Sequence, residues 1–122
     1  MIRKWRKIFK VLPVLIVQTE NMPVDFGGQV RWLFIKLRKE YWDDEALIQH
    51  ELTHCRWMWY LPVLYEILYK WNRRFRMWME VFGYRTQWEY GADVDVLAYR
   101  LANYYDLNID IETAKKAIQD IK

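Results

Sequence analysis

The sequence predicts an α+β fold in one domain spanning residues 1–122, with a small N-terminal sheet packed against a central helix and a helical second half. The length of 122 residues suits a single core. Hydrophobic residues make up 53% of the chain and include 8 Trp and 9 Tyr, which can fill such a core with few side chains. Strand-like segments come first, and apolar residues at helical spacing follow.

The first 40 residues are expected to supply the sheet. The basic segment from about 2 to 10 is interpreted as a short helix. Residues from about 13 to 19 are apolar and β-branched, which favours a strand with Pro13 at its start. Asp25-Phe26-Gly27-Gly28 indicates a turn. Residues from about 29 to 39 alternate in a way typical of a second strand.

A helix is predicted from about 44 to 60, because Asp43 can cap it and Asp44 and Glu45 suit the dipole of its first turn. Pro62 ends or kinks it. Further helices are expected over about 63 to 71, 75 to 89, 92 to 106 and 111 to 121. Asp110 is the expected cap of the last one.

The motif His50-Glu51-Leu52-Thr53-His54 carries the functional prediction, and its histidines are the chain's 2 His. On a helix, positions i and i+4 share a face, so the two imidazoles can hold one zinc ion. Glu51 between them can take a proton from a water activated by the zinc. The alternative is an amphipathic helix with incidental polar residues, but buried His and Glu need partners.

A catalytic zinc usually has three protein ligands, so a third ligand is required. The metzincin spacing fails, because Trp57 and Tyr60 stand where Gly and a third His or Asp would be. The downstream carboxylates are Glu66, Glu80, Glu89, Asp93 and Asp95. Glu80 is favoured, since its apolar surroundings leave a carboxylate in need of a partner. The alternative is a structural Glu80.

His50–His54 followed by Glu80-Val81-Phe82-Gly83-Tyr84-Arg85-Thr86-Gln87 resembles the gluzincin branch of the zincin metallopeptidases. The resemblance is strongest to short metallopeptidase-like proteins of bacteriophages and their bacterial hosts, and it covers about residues 12 to 90. It implies a zincin-like fold with zinc held by His50, His54 and Glu80, and Glu51 as base. It also implies an edge strand, about 29 to 39, that can pair with an extended peptide.

The expected activity is peptide-bond hydrolysis, in which Glu51 assists attack by water at the zinc and passes the proton to the leaving amine. An extra donor should stabilise the oxyanion. Tyr84, one turn after Glu80, is the favoured donor, and Tyr65 and Arg85 are the alternatives. Groups that orient the histidines are expected as well, with Asp93, Asp95 or a backbone carbonyl as candidates.

Composition and charge exclude several other classes. The net charge of +3 is modest, and neither basic cluster, around residues 3 to 10 or 70 to 76, has a nucleic-acid-binding motif. The single Cys55 excludes an internal disulfide and is interpreted as a small core residue. The N-terminus does not fit a secretory signal, and no segment reaches transmembrane length, so the cytoplasm is the expected compartment.

Two alternative functions remain open from the sequence. The chain could be a catalytically silent zincin-fold binding or assembly module with a structural zinc, for example a phage accessory protein. The aromatic segment from Trp57 to Trp71 could also contact a membrane surface, although packing behind the zinc site is the preferred interpretation.

Overall fold

The computed structural model describes residues 2–22 and 27–119. Within these residues, four strands form a mixed sheet: β1 (Arg3–Ile8), β2 (Leu12–Gln18), β3 (Gly28–Arg31) and β4 (Phe34–Leu37). Their order in the sheet is β1-β2-β4-β3. β1 with β2 and β3 with β4 form antiparallel pairs, whereas β2 and β4 are parallel. Because parallel neighbours begin at the same end of a sheet, the β1–β2 turn and the β3–β4 turn lie at one end.

In the described part of the chain, five α-helices follow a 3-10 helix at Lys39–Tyr41. They are α1 (Glu45–Tyr60), α2 (Leu64–Trp71), α3 (Arg73–Glu89), α4 (Val94–Tyr104) and α5 (Ile111–Gln119). The predicted α+β class is therefore confirmed, and each helix lies within a few residues of its predicted bounds. Of the predicted segments, Asp25 and Phe26 of the turn and positions 120 and 121 of the last helix lie outside the described residues.

The prediction of a helix over residues 2 to 10 is wrong, because this segment is β1 and pairs with β2. Two basic residues on the face toward α1 find specific partners there. The Lys4 ammonium donates to the Trp42 carbonyl, and Arg6 pairs with Glu45 at 2.9 Å. Their aliphatic stems cover apolar surface while the charges reach polar groups.

The prediction of one strand over 29 to 39 is also wrong, because a turn at Trp32 divides the segment into β3 and β4. Trp32 adopts a positive φ of 52, and the sequence has no glycine or asparagine at this turn to indicate it. At the start of α1 the cap is Asp44 instead of Asp43: the Asp44 carboxylate accepts from the Leu47 amide at 3.0 Å.

Helix α1 is the central element of the fold. One face packs on the sheet, where Ile48, Leu52 and Cys55 join Ile16 and Ile35 in a buried cluster. Cys55 is fully buried, and burial raises the pKa of its thiol to about 12, so the prediction of a core cysteine is confirmed.

The opposite face of α1 packs against α3. His50 faces Gln87, whereas Trp57, about two turns further along α1, stacks on Phe82. The two helices are therefore antiparallel. A second buried cluster joins α3 to α4 and α5 through Tyr84, Leu97 and Ile118. The Asp110 carboxylate accepts from the Thr113 amide at 2.7 Å, which confirms it as the cap of α5.

Candidate metal centre

Helices α1 and α3 bring together the three predicted ligands. The Nε2 atoms of His50 and His54, one turn apart on α1, are 3.0 Å from each other. Oε1 of Glu80, on α3, is 3.1 Å from Nε2 of His50 and 3.3 Å from Nε2 of His54. All three residues are buried, and three ligand atoms converge on one point between the helices.

Each of these residues has a second polar atom, directed away from the shared point, that forms a hydrogen bond with another side chain. Nδ1 of His50 is 2.8 Å from Oε1 of Gln87. Since an amide oxygen only accepts, Nδ1 of His50 carries the proton and Nε2 carries a lone pair. Nδ1 of His54 is 3.2 Å from the Tyr65 hydroxyl, which can accept in the same way. The Tyr69 hydroxyl donates to Oε2 of Glu80 and leaves Oε1 for the inner point.

This arrangement fits a metal ion. With both histidines in that tautomer, the three inner atoms are all acceptors, and acceptors at 3.0 to 3.3 Å repel one another unless a cation lies between them. Ligands about 2.0 Å from a tetrahedral ion would be about 3.3 Å apart. The group His50, His54 and Glu80 can therefore bind a metal ion.

The charge state of Glu80 supports the same conclusion. Burial by itself raises the pKa of this carboxyl, but attraction to His54 and the close approach of Oε1 to Nε2 of both histidines outweigh burial. The net result is a pKa well below the usual range, so the side chain is an anion near neutral pH. An anionic oxygen beside two imidazole nitrogens is a donor set for a divalent transition metal.

Glu51 follows His50 on α1 and is buried beside the three ligands. The pKa of its carboxyl is raised to about 7, mainly by burial. His50 lowers this pKa and Glu80 raises it, and both effects are smaller than that of burial. A carboxyl poised near neutral pH can both accept and release a proton, as a general base requires.

Two glycines let neighbouring elements approach these residues. A Cβ on Gly83 of α3 would lie 2.6 Å from Nε2 of His50, so only glycine allows α3 to pass this close to the imidazole. A Cβ on Gly28 of β3 would lie 3.3 Å from Oε1 of Glu51. Strand β3 can therefore run directly beside the carboxylate.

A cleft with a volume of about 520 Å³ opens onto the ligands and Glu51. Residues Gly28 to Arg31 of the edge strand β3 form one wall, and Tyr65, Glu66, Tyr69 and Lys70 of α2 contribute to its lining. All four residues of β3 contribute to the lining.

The predicted oxyanion donors lie in different places. The Tyr84 ring packs edge-on against His50, with ring centres 4.5 Å apart, and its hydroxyl bonds the Tyr105 hydroxyl at 2.7 Å. Tyr105 and Tyr65 line the cleft. Arg85 lies 4.0 Å from Glu89, an exposed carboxylate.

The other carboxylates considered from the sequence do not join the three ligands. Glu66 lines the cleft from α2 and is exposed. Asp93 accepts from the Asp95 amide at the start of α4, and Asp95 pairs with Lys115 at 2.9 Å. The expectation that Asp93 or Asp95 orients a histidine is therefore wrong, because Gln87 and Tyr65 occupy those positions.

Sequence reasoning missed the orienting roles of Gln87, Tyr65 and Tyr69. Gln87 had a usable signal, because it follows Glu80 by two helical turns and so shares its face. The two tyrosines are four residues apart on α2, but only the packing of α2 shows that their hydroxyls face the ligands.

Comparison of the chain with protein-family models, with curated proteins and with solved structures gave no match.

Proposed function

We propose that this chain is a zinc-dependent metallopeptidase with a zincin-type site. The observation that carries the proposal is the convergence of His50, His54 and Glu80 on one point, with Glu51 buried beside them in an open cleft. Each ligand is oriented by a further side chain, as in protein metal sites where such partners fix the ligand tautomer.

The types of donor atom favour zinc, and the number of protein ligands favours a catalytic site over a structural one. Two imidazole nitrogens and one carboxylate oxygen suit zinc. Structural zinc sites are closed by four protein ligands, whereas catalytic sites have three and an open position. Among the described residues the group has three members, and it adjoins the cleft.

A zinc ion bound here would polarise the scissile carbonyl and acidify an adjacent water. Glu51 accepts the proton of that water and delivers it to the leaving amine nitrogen. In the metal-free chain, burial brings the pKa of this carboxyl to about 7. Gln87 and Tyr65 keep the lone pairs of the histidines directed at the metal.

An extended peptide is the substrate class that the cleft suits. β3 is an edge strand with one free side for pairing, and it borders the cleft beside Glu51. Gly28 removes the side chain that would separate the peptide from Glu51. Tyr84 does not line the cleft, and its hydroxyl bonds that of Tyr105, which does; in this proposal Tyr105 is the candidate donor to the oxyanion and Tyr84 orients it.

The test is hydrolysis of a peptide library by the zinc-loaded chain and by Glu51→Gln. The wild-type chain is expected to cleave peptides, and Glu51→Gln is expected to keep zinc but lose at least about 100-fold in rate. Glu89→Gln is the matched control, because Glu89 is an exposed carboxylate on α3, and it should keep the wild-type rate.

A wild-type chain that binds one zinc and cleaves no peptide would contradict the metallopeptidase proposal. That result would favour the alternative of a zincin-fold binding or assembly module with a structural zinc.

A further inference from the structure

Several large apolar side chains are exposed in the β1–β2 turn, at the end of α1 and along α2. The set, called the apolar end below, comprises Phe9, Tyr60, Val63, Leu64, Ile67 and Trp71. Phe9, in the β1–β2 turn, packs edge-on against Tyr60 at the end of α1, with ring centres 5.4 Å apart. From Tyr60 the chain continues through Val63 into α2.

Helix α2 has two apolar faces with different surroundings. Tyr65 and Tyr69 face the metal centre. Leu64, Ile67 and Trp71, at helical spacing, are instead exposed, and Trp71 keeps 77% of its surface accessible. A soluble chain rarely leaves a contiguous apolar patch open unless something binds it.

The backbone at the apolar end is held in costly conformations. Phe9 adopts φ 52 and Val63 adopts φ 62, in a region where glycine is the favoured residue and a β-branched side chain is disfavoured. Both positions are exposed turns. Bulky apolar residues at such positions cost stability, so their presence indicates a use for the side chains at the surface.

Exposed basic residues accompany the apolar end. Lys7 and Lys10 lie close to Phe9 in the sequence, and Lys70, Arg73 and Arg74 lie close to Trp71. Glu66 is the one acidic residue in the sequence from 52 to 79. The apolar end therefore carries cationic side chains that can attract an anionic surface.

We propose that the apolar end docks on the surface of a lipid bilayer that contains anionic lipids. Tyr60 and Trp71 would lie at the level of the headgroups, Leu64 and Ile67 would enter the acyl boundary, and the surrounding Lys and Arg would contact lipid phosphates. In residues 2–22 and 27–119 no helix is long and apolar enough to cross a bilayer.

The residue types favour lipid over the other classes of anionic partner. Nucleic acids are bound through cations and aromatic rings, and exposed aliphatic side chains such as Leu64 and Ile67 have no role there. Lipid uses all three types, because aliphatic groups enter the bilayer while aromatic and basic groups stay at its surface. The inference does not depend on the metallopeptidase proposal.

The experiment is flotation of the full chain, zinc-loaded, with phosphatidylcholine vesicles that contain or lack about 30% phosphatidylglycerol. The chain is expected to bind the anionic vesicles at least tenfold more strongly than the neutral ones. Ile67→Ser/Trp71→Ser and Arg73→Glu/Arg74→Glu should each weaken binding at least tenfold, and the circular dichroism spectrum should stay that of the wild type.

Matched controls come from the other part of the surface. Val96→Ser/Tyr99→Ser removes two other exposed apolar side chains, on α4, and Lys115→Glu/Lys116→Glu reverses two charges on α5. Both should bind vesicles within twofold of the wild type. The proposal is overturned if the wild type floats with neither vesicle, or if the controls weaken binding as much as the test variants do. Binding to single-stranded nucleic acid without binding to vesicles would also overturn it.

Discussion

Gly83 on α3 lies against the imidazole of His50 on α1, at a distance that leaves no room for a side chain. A Cβ at this position would come within 2.6 Å of both Cδ2 and Nε2 of the ring. The glycine therefore sets the separation of the two helices that share the metal ligands.

The first prediction concerns Gly83→Ala. Alanine in the middle of a helix usually stabilises a protein by about 0.5–1 kcal/mol relative to glycine. Here the methyl group would displace the His50 ring, so we expect zinc affinity to fall at least tenfold, measured by competition with a chromophoric chelator. Gly91→Ala is the control: a Cβ there has nothing within 4 Å, and φ is +98, so it should reduce stability but keep zinc affinity.

The second prediction concerns Gln87, whose side-chain oxygen accepts from Nδ1 of His50 at 2.8 Å. Gln87→Ala leaves that N–H without a partner and the ring without an anchor. Loss of such a partner typically lowers metal affinity about 10–100-fold. Gln87→Glu keeps an acceptor and should retain most of the affinity, and Gln49→Ala, which removes a partner of Glu45, should retain all of it. Equal zinc affinity of Gln87→Ala and wild type would contradict this role.

The third prediction concerns Glu51 in the metal-free chain, where burial raises the pKa of the carboxyl to about 7. Its unfolded-state pKa is near 4.5, so the folded chain binds more protons between these values. This carboxyl therefore contributes stability below about pH 4.5, and that contribution is lost as pH rises to about 7. The loss is on the order of 3 kcal/mol.

Urea unfolding of chelator-treated wild type and Glu51→Gln at pH 5 and pH 8 measures this effect. The variant should gain stability relative to the wild type as the pH increases, because glutamine does not titrate. If the stability difference between wild type and Glu51→Gln is the same at both pH values, the pKa of Glu51 is not raised by folding.

The fourth prediction concerns Val63, which is the centre of a tight turn between α1 and α2. The Leu64 amide donates to the Pro62 carbonyl at 2.6 Å across it, and Val63 adopts φ 62. Such positive-φ turns are strained for any residue with a Cβ. Val63→Gly should raise the free energy of unfolding by about 1 kcal/mol.

Val96→Gly is the control, and it should change the free energy of unfolding in the opposite direction. Val96 is also exposed, but it lies inside α4. The substitution should lower the free energy of unfolding by several tenths of a kcal/mol, since glycine is a poor helix former. A loss of stability in Val63→Gly would refute the assignment of strain to this turn.

The metal ligands were accessible from the sequence because their geometry is mostly local. His50 and His54 need only one helical turn to face the same point, and the period of the helix fixes that relation. Glu80 was favoured because its apolar neighbours leave a carboxylate in need of a partner, and the antiparallel packing of α3 on α1 brings it to the histidines. Tyr65 and Tyr69 depend on the packing of α2, which no local pattern reports.

The sheet was less accessible because its pairing is not local. β1 places Lys4 and Arg6 toward α1, and their partners, the Trp42 carbonyl and Glu45, lie about 40 residues away in the sequence. The pattern of basic residues alone therefore indicated a helix. The turn that separates β3 from β4 could not be predicted from the sequence either. Trp32 takes a positive φ there, without the glycine or asparagine that usually marks such a turn.

The central claim is that His50, His54 and Glu80 hold one zinc ion. The direct measurement is the zinc content of the purified chain, determined by elemental mass spectrometry. The chain is first equilibrated with zinc, and excess metal is then removed. We predict one zinc per wild-type chain, and less than a tenth of that for His54→Ala at the same protein concentration. A wild-type chain that retains no zinc, or a His54→Ala variant that retains as much as the wild type, would contradict the claim.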